Sequence, residues 1–223
     1  PAIERLAAEV DFAGLPDNIA GKPVIGISGL TLEPMAISTD DVFLVTGPPQ
    51  SGRTSTLAAL TTAIGRADPG GERLYIGPGR SFLKDRHSWS QVIVGELEIA
   101  SKVPDLTRRV KQGWKPAVIV VEDHNSLLNS AGDQPLVDLL AACRAEGVLV
   151  VADSETGNTG SWPLQAAVKA GRHGIILQPD QHDGEQIYRT PLPRVRRSDF
   201  PPGRGFYIHS GVAELVQVAN PVT

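Results

Sequence analysis

The sequence is poor in the residues that mark several large classes of protein. Its one cysteine, Cys143, excludes an internal disulfide and fits a reducing compartment. That cysteine lies in the apolar run LVDLLAAC, so a buried thiol is expected there and not a nucleophile. Aromatic residues make up 5% of the chain, too sparse for a cofactor box. No apolar run is long enough to cross a bilayer, and no signal peptide is read at the start. The net charge of −4 gives no general attraction for nucleic acid or anionic lipid. The five histidines, His87, His124, His173, His182 and His209, show no metal-ligand spacing. The first residue is Pro1 and the single methionine is Met35, so the expectation is a processed start or a piece of a longer protein.

What is present is an ordinary globular composition, 41% hydrophobic and 21% charged over 223 residues, enough for one domain with a full core or at most two small ones. Residues 1–22 read as a short helix (IERLAAEVDFAG) and a lead-in loop, and 23–223 as one domain. Val24–Ser28 and Met35–Ser38 read as a small antiparallel lead-in. Five apolar runs follow: VFLVT (42–46), RLYIG (73–77), AVIVVED (117–123), GVLVVAD (147–153) and GIILQ (174–178). Three are continuously apolar, which suits strands buried on both faces of a parallel sheet. Helical patterns separate them at Thr54–Ile64, Trp89–Lys102, Asp105–Gln112, Pro135–Glu146 and Leu164–Ala170. The spacing predicts an α/β fold with a mostly parallel central sheet flanked by helices. The ending FYIHSGVAELVQV predicts a β-hairpin turning at Ser210-Gly211.

Residues 47–54, GPPQSGRT, fit the phosphate-loop pattern G-x-x-x-x-G-K-[ST] with arginine in place of lysine. Gly47 and Gly52 supply the backbone freedom. Pro48, Pro49, Gln50 and Ser51 form the loop between them. Arg53 is the cation for the β- and γ-phosphates, Thr54 the Mg²⁺ hydroxyl, and Ser55 the next residue of the helix start. A buried strand before the loop and an apolar-faced helix after it put a helix N-terminus where phosphate binds. The expected cofactors are ATP and Mg²⁺. Arginine is longer, planar and forked, so Arg53 neutralises phosphate with a geometry different from lysine's.

The run AVIVVED ends in Glu122 and Asp123. An apolar strand ending in acid downstream of a phosphate loop points to the Mg²⁺ water shell (Glu122) and the attacking water (Asp123). The usual order is Asp then Glu, so both positions depart. Asp153, Ser154 and Thr156 lie at another strand's carboxyl end, where open α/β sheets bind ligands; the alternatives are a nucleotide sensor or a plain polar loop. The segment RTPLPRVRRSDFPPGRGFYI carries Arg189, Arg194, Arg196, Arg197 and Arg204. Arg204, in the tight turn PPGRG, is the candidate for an arginine acting on a neighbouring subunit's nucleotide or framing the base. Arg194, Arg196 and Arg197 read as a solvated strip or a subunit interface without a catalytic role, and without interleaved aromatics DNA binding by this strip has no support.

Four stretches together resemble the FtsK/SpoIIIE ATPases: IGISGLTLEPMAI, GPPQSGRTSTL, VIVVEDHNSLL and DFPPGRGFYIHSGVAELVQVA. The resemblance is strongest to the C-terminal ATPase domains of the multi-domain type VII secretion proteins (EccC-type) and related actinobacterial members, and it covers about residues 22–220. It implies a RecA-like P-loop fold, nucleotide at the loop, and assembly with other ATPase domains of the same parent chain or as a homo-oligomer (hexamer). It implies cytoplasmic placement, tethered to the inner membrane through parent domains and without direct membrane contact of its own. The cargo it implies is DNA or a secreted helical peptide. The arginine in the loop, the inverted acidic pair and the lack of a Gln-Arg sensor in ADSETG mark a degenerate domain with weak or no hydrolysis. The alternatives are a fully active translocating ATPase and a nucleotide-free peptide-binding module.

Overall fold

The computed structural model describes residues 6–158 and 160–221. Their centre is a run of six parallel strands in the order β9-β4-β8-β7-β5-β6. These are β4 (Val42–Gly47), β5 (Arg73–Gly77), β6 (Gln91–Val94), β7 (Val118–Val121), β8 (Val150–Glu155) and β9 (Gly174–Leu177). Beyond β9 the sheet turns antiparallel through β10 (Arg204–His209), β11 (Val212–Val218) and β2 (Lys22–Ser28). The short strands β1 (Asn18–Ile19) and β3 (Pro34–Ala36) both pair with β2. The C-terminal hairpin turns at Ser210 and Gly211, both at positive φ (52° and 77°), as a two-residue primed turn requires.

The continuous apolar runs are explained by two cores, one on each face. Along β4, Val42 and Leu44 point into one core and Phe43 and Val45 into the other. The first core packs under α3 (Glu96–Lys111), α4 (Asp133–Glu146) and α5 (Pro163–Lys169), through Val103, Leu106, Leu136, Leu139 and Leu164. The second packs under α1 (Arg53–Ala67) and α2 (Phe82–Arg86), through Leu57, Leu60, Ile64 and Leu83. Cys143 is buried in the first core, and burial pushes its thiol up to about 12, so it is inert.

Three expectations need correction. Leu6–Val10 are not helical, and among the described residues the only helical piece before β1 is a 3-10 turn at Phe12–Gly14; the start of the expected N-terminal helix lies outside the described residues. Arg66 explains the irregular path: it donates to the Phe12 and Leu15 carbonyls (2.6 and 2.8 Å), which a helix would have used internally, and Phe12 is buried in the second core. The lead-in is therefore packed into the domain. Second, Gln91–Val94 form the edge strand β6 and not the start of a helix; the β-branched Val92, Ile93 and Val94 favour the pleated surface. Third, Asp105–Gln112 is no separate helix. One helix runs through Pro104, whose missing N–H costs a bond, because Ile99, Val103, Leu106 and Val110 form one buried stripe on both sides of it.

A short helix, α6 (Asp183–Tyr188), locks the phosphate-loop strand from outside the sheet. The fully buried Tyr188 hydroxyl donates to the Leu44 carbonyl (2.7 Å) and lies 3.0 Å from the Thr46 hydroxyl. Tyr188→Phe is expected to destabilise the domain by about 1–3 kcal/mol, because it strands buried polar partners. Urea denaturation measures this, and a loss below ~0.5 kcal/mol would mean that other groups satisfy Leu44 and Thr46.

Candidate functional site

The site lies at the carboxyl ends of β4, β8 and β7, where an open α/β sheet presents ligands. From β4 the chain passes through Pro48–Ser51 and enters α1 at Arg53. The turn is tight at Gly47, where a Cβ would stand 2.3 Å from Ser51 Oγ and 3.0 Å from Leu177. Gln50 (φ 65°) and Gly52 (φ 97°) are both left-handed, a backbone that gathers N–H groups into an anion-binding concavity. Thr54 and Ser55 are exposed on the first turn of α1, and the dipole of this 15-residue helix favours an anion at their end. Ser51 Oγ and Thr56 Oγ1 are buried and find no hydrogen-bond partner among the described residues. The backbone and hydroxyls thus fit a phosphate.

The charged groups are arranged differently from the expectation. Arg53 Nη1 lies 3.2 Å from Asp153 Oδ2, and its Nη2 lies 3.8 Å from Glu155 Oε1. Both carboxylates come from β8, the strand next to β4, and the register sets Glu155 level with Gly47. Asp153 is a hub. Its Oδ1 accepts the Asp123 N–H (2.8 Å), and its carbonyl takes the His124 ring Nδ1 at 2.7 Å. Burial pushes the Asp153 carboxyl up to about 6, against the pull of the Asp123 N–H and of Arg53.

Glu122 is drawn toward β5. Its Oε2 accepts the Tyr75 hydroxyl (2.6 Å) and the Ser81 hydroxyl, and Ser81 also caps α2 through the Lys84 N–H. Gly77 makes room, since a Cβ there would sit 2.7 Å from the Tyr75 hydroxyl and 3.1 Å from Glu122. Among the described residues no hydrogen bond joins Glu122 to the phosphate loop. Asp123 follows in a left-handed turn (φ 53°) with an exposed side chain. The inverted pair therefore places a buried, doubly bonded glutamate before an exposed aspartate.

Arg204 lies beside the loop by its backbone: Gly203 N is 3.5 Å from where a Gly52 Cβ would be. Its guanidinium is taken up within the chain, by Gln217 (3.1 Å) and by the Leu6 and Ala7 carbonyls (3.0 and 2.7 Å). The structure thus gathers Gly47–Ser55, Asp153 and Glu155 into one site and holds Glu122 to its side. From sequence, Asp153 stands with Ser154 and Thr156 at a strand end as a nucleotide sensor or a plain polar loop, and its pairing with Arg53 is not expected. The signal available was its spacing: a strand adjacent to the loop strand ending in two acids, Asp153 and Glu155, on one face.

No protein-family model matches the chain, and no curated protein does. Among solved structures, the chain is similar to the cytoplasmic domain of the type VII secretion ATPase EccC of Thermomonospora curvata, with TM-score 0.77 and 22% identity over 100% of this chain and 29% of that one. It is similar to ATPases 2 and 3 of the same EccC in complex with a signal sequence peptide (TM-score 0.78, 22% identity, 100% and 45% covered). It is also similar to ATPases 2 and 3 of EssC from Geobacillus thermodenitrificans (TM-score 0.77, 18% identity, 97% and 45% covered). The chain spans less than half the length of each of these. Its fold is that of the P-loop ATPase domains of type VII secretion ATPases.

Proposed function

We propose that this chain is a nucleotide-binding domain of an FtsK/SpoIIIE-type motor that holds nucleotide with weak or no hydrolysis, and that it works within a larger multi-domain secretion protein. The observation that carries this reading is the contrast inside the site. The loop backbone from Gln50 to Ser55 keeps the form of a phosphate cradle, while Arg53 is paired with Asp153 and Glu155, and Glu122 is held by Tyr75 and Ser81. Catalysis of phosphoryl transfer rests on positioned charge. A cation already spent on carboxylates, and an acid turned to a neighbouring strand, supply little of it.

In this reading the N–H groups of the loop and Arg53 hold the phosphates, and the exposed Thr54 hydroxyl supplies a ligand for Mg²⁺. Mg²⁺ when bound would neutralise phosphate charge, and the Glu122 side chain would reach its water shell only by leaving Tyr75 and Ser81. The fold likeness to EccC, one structure of which holds a signal sequence peptide, supports a secreted helical peptide as cargo over DNA.

Calorimetry with Mg²⁺ tests the reading. Nucleotide is expected to bind between about 1 and 100 μM, about −8 to −5.5 kcal/mol, and Arg53→Ala is expected to weaken it at least ~10-fold. Turnover is expected to stay at background. Absence of binding up to millimolar nucleotide would overturn the nucleotide site, and turnover near ~1 s⁻¹ would overturn the degenerate assignment.

A further inference from the structure

We infer that Asp153 and Glu155 form a built-in carboxylate latch at the terminal-phosphate end of the loop, so that the site selects nucleoside diphosphate over triphosphate. This rests on the nucleotide-binding reading of the same loop and goes beyond it in naming the ligand's charge state.

Four observations carry it. The residue at Arg53's place reaches the β- and γ-phosphates, and here both guanidinium nitrogens point to carboxylate oxygens, 3.2 Å to Asp153 and 3.8 Å to Glu155. The two carboxylates therefore stand where the last phosphoryl group would meet its cation. The latch is also fixed in place. Asp153 is buried, its other oxygen is tied to the Asp123 N–H, and its carbonyl to His124, so it cannot turn away without breaking the β7–β8 end. Third, the register places Glu155 beside Gly47, at the mouth of the loop. Fourth, space is present. A cavity of about 360 Å³ opens beside the latch at Glu155, lined by Pro48, Pro49 and Thr156 and by two further acids, Asp180 and Asp183.

The cavity reaches the latch at Glu155 and is itself lined by acids, so the discrimination is by charge and not by size. A diphosphate brings one phosphoryl group fewer to the two carboxylates and gains from the loop N–H groups and the helix dipole. A triphosphate adds charge of the same sign beside two acids whose counter-ion it must also take. The latch and a terminal phosphate thus compete for one guanidinium, and release of ATP in favour of ADP is the consequence.

The test compares ADP and ATP by calorimetry, with Mg²⁺, for the chain itself and for the near-isosteric variants Asp153→Asn and Glu155→Gln. Thermal unfolding of each variant checks its fold. Glu155 is partly exposed, so Glu155→Gln carries the test if Asp153→Asn does not fold. The unaltered chain is expected to bind ADP at least ~10-fold tighter than ATP. The variants are expected to raise ATP affinity about 10-fold while moving ADP less than about 3-fold, closing the gap. Equal affinities in the unaltered chain, or an ATP affinity that neither variant raises, would overturn the latch and leave nucleotide binding standing. Absence of binding by both nucleotides to all three proteins would overturn the nucleotide reading and the latch together.

Discussion

Gly174→Ala is expected to remove most of the domain's stability, at least ~4 kcal/mol, placing it among the exceptional single substitutions. Gly174 opens β9 and faces Leu44 of the phosphate-loop strand across a parallel ladder. A Cβ on it would stand 1.9 Å from the Leu44 carbonyl oxygen and 2.8 Å from the Leu44 nitrogen, and its φ of 154° already disfavours a side chain. The atoms it meets are backbone, so no rotamer change relieves the clash. Nor can β4 retreat. It is bonded to β8 on its other side, its six residues are all buried, and the Leu44 N–H is committed to the His173 carbonyl at 2.9 Å. Any relaxation must pull β9 away and take the Tyr188 hydroxyl bonds to Leu44 and Ile175 with it. Gly70→Ala is the internal control, because nothing lies within 4 Å of its Cβ, and it is expected to change stability by less than ~0.5 kcal/mol. Urea denaturation of the two variants separates them. Equal stability for both would show that the β4–β9 contact can open, and the tight packing assigned to this strand pair would be wrong.

The strand that Gly174 supports was legible from sequence for a simple reason. Its run VFLVT is apolar at successive positions, which only a strand covered on both faces needs, and its loop carries glycines at fixed spacing. The runs 117–123 and 147–153 were legible on the same ground, 73–77 and 174–178 from the strand–helix alternation, and the terminal hairpin from its Ser210-Gly211 turn. Local pattern failed where tertiary partners decide. Gln91–Val94 has four residues and a polar start, too short for alternation to speak, and becomes a strand because β5 offers an open edge. Pro104 signals a break, and the helix runs on because one buried stripe continues past it. The site divides in the same way. The loop's backbone demands special residues and so leaves a trace in the sequence. The fate of Arg53 and Glu122 depends on Asp153, Glu155, Tyr75 and Ser81, which lie on three other segments, and no spacing announces those meetings.

Asp153 and its neighbour His124 also set the response to acid, and here the second large effect is expected: a loss of about 3 kcal/mol of stability between pH 6.5 and 4. Burial holds His124 down to about 4, against the pull of the Asp153 carbonyl, and its Nε2 has no partner among the described residues. Burial also holds His173 down to about 4, with His209 adding to the effect and Asp40 opposing it. Both rings are neutral when folded and titrate near 6.5 when unfolded. The unfolded chain therefore binds more protons across that window, and stability, full above pH 6.5, falls as the pH drops. Each histidine contributes a loss of about 3 kcal/mol over 2.5 pH units. Asp153 works the other way. Its carboxyl is raised to about 6, so the folded chain binds the extra proton between pH 6 and 3.8, returning about 3 kcal/mol as the pH falls. The opposition makes the prediction specific. His124→Asn, whose amide can still donate to the Asp153 carbonyl, and His173→Asn should each remove about half of the histidine loss. Asp153→Asn should steepen the fall, because it deletes the compensating group and leaves both rings in place. Unfolding free energies from urea titrations at pH 7, 6, 5 and 4.5 read all three slopes. A flat profile in the unaltered chain, or a shallower one in Asp153→Asn, would show that the two rings are not held neutral in the core and that the Asp153 carboxyl is charged throughout.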